Sequence, residues 1–194
     1  LGFVNEPLFY ICTATLFFYL CAEQGVIGWM ITYFKDTGLL PESLSQVTAS
    51  VLWIMILVGR LLVAWASSKV KKEKLLVLMG VGLVGFFILL LFGTKTKWIL
   101  LGIMGFGFSM SGIYPTTVSF TGTIIQKYSL AWSFILTIAS TGSILMPSII
   151  GKIAETSGIY YGMQSVVFVV IIDMICILGL AGYVTYLRKK NVDL

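Results

Sequence analysis

Apolar residues run for long stretches along this chain and are broken only by short polar clusters. Six runs stand out, at residues 8–34, 45–67, 75–92, 98–125, 130–154 and 162–187. Between them lie KDTGLLPES, SSKVKKEK, GTKTK, QKYS and ETSGIYYG. A hydrocarbon core about 30 Å thick is crossed by roughly 20 apolar helical residues, so each run predicts a membrane-spanning helix. Pro41 before Glu42 and Ser43 predicts a helix start, and Gly93 a helix stop. The intervening loops leave no room for a soluble domain. The prediction is an all-α integral membrane fold, with residues 1–194 forming a single six-helix transmembrane domain.

Composition agrees with the pattern. Of 194 residues, 58% are hydrophobic and 11% charged, against about 25% charged in soluble domains; the mean hydropathy is +1.00. The net charge of +5 sits in short loops beside apolar runs, not on a basic face interleaved with aromatics. That arrangement points to membrane orientation and away from nucleic acid. Lys69, Lys71, Lys72, Lys74, Lys127, Arg188, Lys189 and Lys190 fall on the side of the two termini; Lys35, Lys95, Lys97 and Lys152 fall opposite. This asymmetry predicts a multi-pass protein of the cytoplasmic membrane with both termini in the cytoplasm. Leu1 is not followed by a charged n-region and cleavage site, so no signal peptide is predicted, and the chain reads as a segment of something longer.

Chemistry is restricted by what residue types are present. There is no histidine, which excludes His-based catalysis and most catalytic zinc sites. Cys12, Cys21 and Cys176 all lie in apolar runs and are expected as small buried hydrophobes. GIMGFGF, with Gly102, Gly105 and Gly107, is intramembrane and follows no strand, so it is no dinucleotide fingerprint. No enzyme, metal or cofactor motif emerges.

Polar residues inside the runs are the informative ones, because an ionisable side chain costs about 2.5–3.5 kcal/mol at the centre of a membrane helix. Glu23 lies near the middle of the first run. Thr15, Tyr19, Glu23, Ile27 and Met30 share one helical face, with Gln24 beside it and Trp29 and Tyr33 further round. A carboxylate, an amide and two aromatics within three turns suit a polar, hydroxyl-bearing solute; the structural alternative is packing between helices through Glu23. Asp173 is the second mid-span carboxylate, a proton-relay candidate in a helix otherwise poor in polar residues, for which a structural role is the alternative.

The fourth run places Gly102, Gly105, Ser109, Gly112 and Thr116 on one small-residue face and carries Ser111, Tyr114 and Pro115 near its centre. Static packing is one reading of that face and a pathway wall is the other. The fifth run has Ser133, Thr137, Ser140, Thr141 and Ser148 along one side, with Gly142 and Pro147 as kink positions. Solute-binding candidates are therefore Glu23, Gln24, Trp29, Tyr33, Ser109, Tyr114 and Thr137. Glu23 and Asp173 are the candidates for proton coupling, and Pro115, Gly142 and Pro147 for gating.

The first three and last three runs correspond weakly, a pattern typical of the inverted repeats of secondary transporters. GRLLVAWASSKVKKEKLL, with Gly59 and Arg60, is similar to the cytoplasmic loop motif that follows the eighth helix of major facilitator superfamily transporters. Ala64 stands where glycine is usual there, and Ser68 where aspartate is usual. PSIIGKIAETSG resembles the end of the family's eleventh helix, GIYPTTVSF its tenth in fucose-permease-like members, and AEQGVIGWMITYF their seventh. In order, these cover most of the chain, which therefore resembles the C-terminal six-helix half of such a transporter, nearest to bacterial sugar or fucose-permease-like members. The resemblance implies a 3+3 inverted-repeat bundle. Its first and fourth spans would line the cavity, its second and fifth would face the other half, and its third and sixth would be support. It implies half of a secondary active transporter moving a small polar solute, a sugar or polyol, by alternating access. The expected partners are the bilayer, the solute, and either an N-terminal half or a second copy of this chain as a homodimer. The competing expectation is a membrane assembly subunit without transport of its own.

Overall fold

The structure is a computed structural model and describes residues 2–190. Six of its helices are long and apolar enough to cross a membrane: α1 (Pro7–Thr37), α2 (Glu42–Ser67), α3 (Lys72–Phe92), α4 (Thr96–Phe120), α6 (Ala131–Ser157) and α7 (Ile159–Lys189). A short α5 (Gly122–Lys127) follows α4. Helices satisfy their own backbone polar groups, which is what hydrocarbon requires of a spanning segment.

Local chemistry explains the ends. Pro7 opens α1 at a position where its missing amide costs no hydrogen bond. Gly38 closes it in the left-handed region at φ 65°, and Gly158 makes the α6–α7 corner at φ 95°. The expected single helix through residue 125 instead breaks at Thr121, whose backbone N–H turns back to the Val118 carbonyl. The apolar pair Ile124 and Ile125 had extended the hydrophobic run across this break.

The helices interleave. α1 packs on α6 and α7, α4 packs on α2 and α3, α3 meets α7, and α1 meets α4. α1 and α4 are the most enclosed, α2 and α6 the least. Glycines set the closest crossings, since small residues let helix backbones approach. A Cβ at Gly107 of α4 would lie 2.7 Å from the Leu52 carbonyl oxygen of α2, and one at Gly102 would lie 2.5 Å from the Leu90 amide nitrogen of α3.

The start of α1 and the end of α7 lie at one end of the bundle with the α2–α3 and α4–α6 connections. Two ion pairs tie that end. Lys127 of α5 reaches Glu6 at 3.0 Å, and Arg188 of α7 reaches the buried Glu73 of α3 at 2.9 Å. The hydrogen bond from Lys127 to Glu6 holds the ammonium above the ordinary lysine range. At the opposite end Lys35 pairs with Glu42 at 3.2 Å.

Candidate functional site

Glu23 is buried, 7% exposed, in the middle of α1. The hydroxyl of Tyr19, one turn earlier on the same face, donates to Glu23 Oε1 at 2.9 Å. A spacing of four residues on a helix makes that contact. The Tyr19 ring in turn lies 6.0 Å from the ring of Tyr114 on α4, tilted by 52°. Tyr114 and Pro115 border a cavity of about 430 Å³ whose wall also carries Arg60 of α2. A line of polar groups thus runs from the buried carboxylate, through two tyrosines on two helices, to a cavity with a guanidinium in its wall. Gln24 is half-buried next to Glu23.

The other expected site residues are placed elsewhere. Tyr33 is fully buried and donates to the Leu91 carbonyl of α3 at 3.0 Å, with Tyr160 of α7 stacked near it at 6.4 Å. It ties three helices together. Trp29 donates its indole N–H to the Pro147 carbonyl of α6 at 2.9 Å and lies over Gly151. That fixes α1 to α6 beside a proline which itself supplies no amide. Ser109 is turned onto α3, against Gly82, and does not join the Glu23 cluster. Thr137 is on the exposed face of α6.

Two hydroxyls of that face are tied to their own helix: Thr141 bonds the Ile138 carbonyl at 2.7 Å, and Ser148 the Ile144 carbonyl at 2.9 Å. Back-bonding of this kind satisfies a hydroxyl in hydrocarbon without any ligand. Gly142 packs against the Phe17 carbonyl of α1, which makes it a contact residue of the α1–α6 crossing. Pro147 lies inside α6 at the Trp29 contact, and Pro115 lies inside α4 at the cavity.

Gly59 and Arg60 lie inside α2, within the run expected at residues 45–67, with Gly59 pressed against the Ser111 hydroxyl of α4. Arg60 is a cavity residue, and a cation within an apolar run was the signal that pointed to it. Tyr19 was seen only as a neighbour on the Glu23 face, whereas the structure makes it the hydrogen-bond partner of the carboxylate.

Asp173 is fully buried in α7, and neither carboxyl oxygen has a hydrogen-bond partner among the described residues. Asp173→Asn removes no bond and is expected to leave thermal stability unchanged or to raise it by about 1 kcal/mol. Thermal unfolding of the purified variant checks this; a loss larger than that would reveal a partner bond.

By fold and site, the chain is a multi-pass membrane protein with a buried, tyrosine-bonded carboxylate in the middle of its first span. Over part of its length it is distantly similar to Major facilitator superfamily domain-containing protein 4A of several vertebrates. The human protein is 28% identical over 112 residues, which is 57% of this chain and 22% of that protein. The Danio rerio protein is 26% identical over 151 residues, 69% of this chain and 29% of its own length. The Xenopus tropicalis protein is 26% identical over 160 residues, 78% of this chain and 31% of its own length. The chain therefore spans less than a third of the length of these curated relatives. No protein-family model matches it. The names of these relatives state no solute, and the relatives are vertebrate proteins rather than bacterial ones.

Proposed function

We propose that this chain is one six-helix half of a secondary active transporter of the major facilitator type, moving a small polar solute such as a sugar or polyol by alternating access. The observation that carries the reading is Glu23. It is buried mid-helix, held by Tyr19 and linked through Tyr114 to a cavity. A carboxylate so far from the interface is a costly feature, and such residues ordinarily face a solute or ion path. Glu23 and Gln24 bind solute hydroxyls in this reading, with Tyr19 orienting the carboxylate and Tyr114 forming the wall. Glu23 is also the first candidate for carrying a coupling proton, and Asp173 the second.

The packing supports a 3+3 inverted repeat. Exchanging α1 with α4, α2 with α6 and α3 with α7 turns the α1–α6 and α1–α7 contacts into α4–α2 and α4–α3, which are the contacts observed. The outward faces of α2 and α6 are then where the other half sits, with both termini cytoplasmic. A second copy of this chain would cover the same two faces; the mass of the purified protein in mild detergent separates the two arrangements.

The test is solute uptake into vesicles by the full-length protein carrying Glu23→Gln. At least a tenfold loss in apparent affinity or rate is expected, equivalent to about 1.4 kcal/mol. Unchanged affinity together with an unchanged pH dependence would remove both roles from Glu23.

A further inference from the structure

The cavity bordered by Tyr114 has a composition that the transport reading does not use. Two cations line it, Arg60 of α2 and Lys72 at the first position of α3, and among the described residues no acid does. The hydroxyl-bearing residues Ser67, Tyr114, Thr116 and Ser119 complete its polar wall. Arg60 forms no ion pair among the described residues. It lies seven residues before the end of α2, or about 10 Å along the axis at 1.5 Å per residue. A guanidinium at that depth calls for a counter-charge.

The start of α3 adds to the field. Its N-cap, Lys71, makes no side-chain capping bond, so the first amides of a 21-residue helix are left to carry the positive end of its dipole. Glu73 in the same turn is not part of the cavity wall, and its Oε1 is engaged by Arg188 of α7. Glu23, the nearest acid on α1, is held behind Tyr19 and Tyr114 and is not part of the wall.

We propose that this cavity binds the anionic group, a phosphate or a carboxylate, of a water-soluble organic anion. Arg60 grips it through its fork of N–H donors, Lys72 adds a point charge at the rim, and the hydroxyls of Tyr114 and Ser119 supply neutral donors. The solute is then an acidic member of the sugar and polyol class proposed above, a hydroxylated acid or a sugar phosphate, held by its anionic group. That the anion is a transported solute rests on the transport reading; that an anion binds does not.

The experiment is thermal unfolding of the full-length protein in phosphatidylcholine nanodiscs at matched ionic strength, with inorganic phosphate, gluconate or mannitol added. Phosphate and gluconate are expected to raise the unfolding temperature, and mannitol is not. Arg60→Gln is expected to weaken the apparent affinity for phosphate about tenfold. Lys72→Gln should weaken it less, and Arg60→Lys should fall between. Should Arg60→Gln fail to fold, Lys72→Gln and Arg60→Lys still give the ranking.

A rise with phosphate that is equal in wild type and in all three variants is a general salt effect and overturns the site. Stabilisation by mannitol as large as that by gluconate overturns the anionic class. Protection by nanodiscs containing phosphatidylglycerol, with none from phosphate or gluconate, overturns the solute in favour of a lipid headgroup. Uptake unaffected by Glu23→Gln, with phosphate protection lost in Arg60→Gln, leaves the anion site standing and removes only the role of Glu23.

Discussion

Gly142→Leu is expected to destabilise the bundle by about 3 kcal/mol or to prevent its assembly, the upper range for overpacking a tight interior. A Cβ at this position would stand 2.6 Å from the Phe17 carbonyl oxygen and 2.8 Å from Cys21 Sγ, both on α1. The first of these is backbone and cannot rotate away, so α1 and α6 must separate. Separation also pulls the Trp29 indole off the Pro147 carbonyl, which is the hydrogen bond that pins the same two helices further along. Even Gly142→Ala should cost measurable stability. Gly28→Ala and Gly85→Ala provide the control, because nothing lies within 4 Å of a Cβ at either position. There alanine's better helix propensity should add up to about 1 kcal/mol. Thermal unfolding in detergent of the four variants side by side measures the contrast; equal behaviour at all three positions would show that the α1–α6 crossing is looser than described.

The same crossing shows why hydrophobic periodicity revealed some features and not others. Run length and polarity located the six spans, because membrane thickness imposes a length that no local choice can evade. Glu23 was visible for a similar reason: a carboxylate in an apolar run is anomalous whatever surrounds it. Which neighbour a helical face meets is not written in that face. Ser109 and Tyr114 are close in sequence on α4, yet one is turned onto Gly82 of α3 and the other onto the Tyr19 ring of α1. Tyr33 looks like a cavity aromatic until the Leu91 carbonyl, 58 residues away, makes it a tie between helices. Trp29, by contrast, borders a cavity at the α6–α7 corner while its indole bonds the Pro147 carbonyl 118 residues away. On α6, Thr141 and Ser148 bond carbonyls of their own helix, a pairing that the spacing of the Ser/Thr stripe does not reveal. Arg60 was legible as a cation inside a span, but the cavity it lines was not, because that cavity forms only where α2 meets α4.

Arg188→Ala is the charge substitution with the largest expected cost, about 2–3 kcal/mol, although it deletes a side chain that is 41% exposed. The reason lies in its partner. Glu73 is buried in the first turn of α3, its side chain 8% exposed, and Oε2 has no partner among the described residues. Arg188 on the last turn of α7 supplies the only ion pair that Glu73 makes among those residues. Removing one member of a buried pair strands the other, which costs about 3–5 kcal/mol when both are fully enclosed. The exposure of Arg188 reduces that figure, since water can partly replace the guanidinium. Glu73→Gln should be much milder, because an amide is cheaper to bury than a carboxylate left alone. The double variant Glu73→Gln with Arg188→Ala should therefore recover most of the stability lost in Arg188→Ala. A double-mutant cycle by thermal unfolding measures this coupling. Additive losses across the cycle would mean that Arg188 acts through packing of its aliphatic stem and not through Glu73. Recovery would establish the pair as the clamp that joins the third and last spans at the end of the bundle where α1 begins and α7 ends. It would also leave Lys72 and Arg60 without an acid committed to them among the described residues.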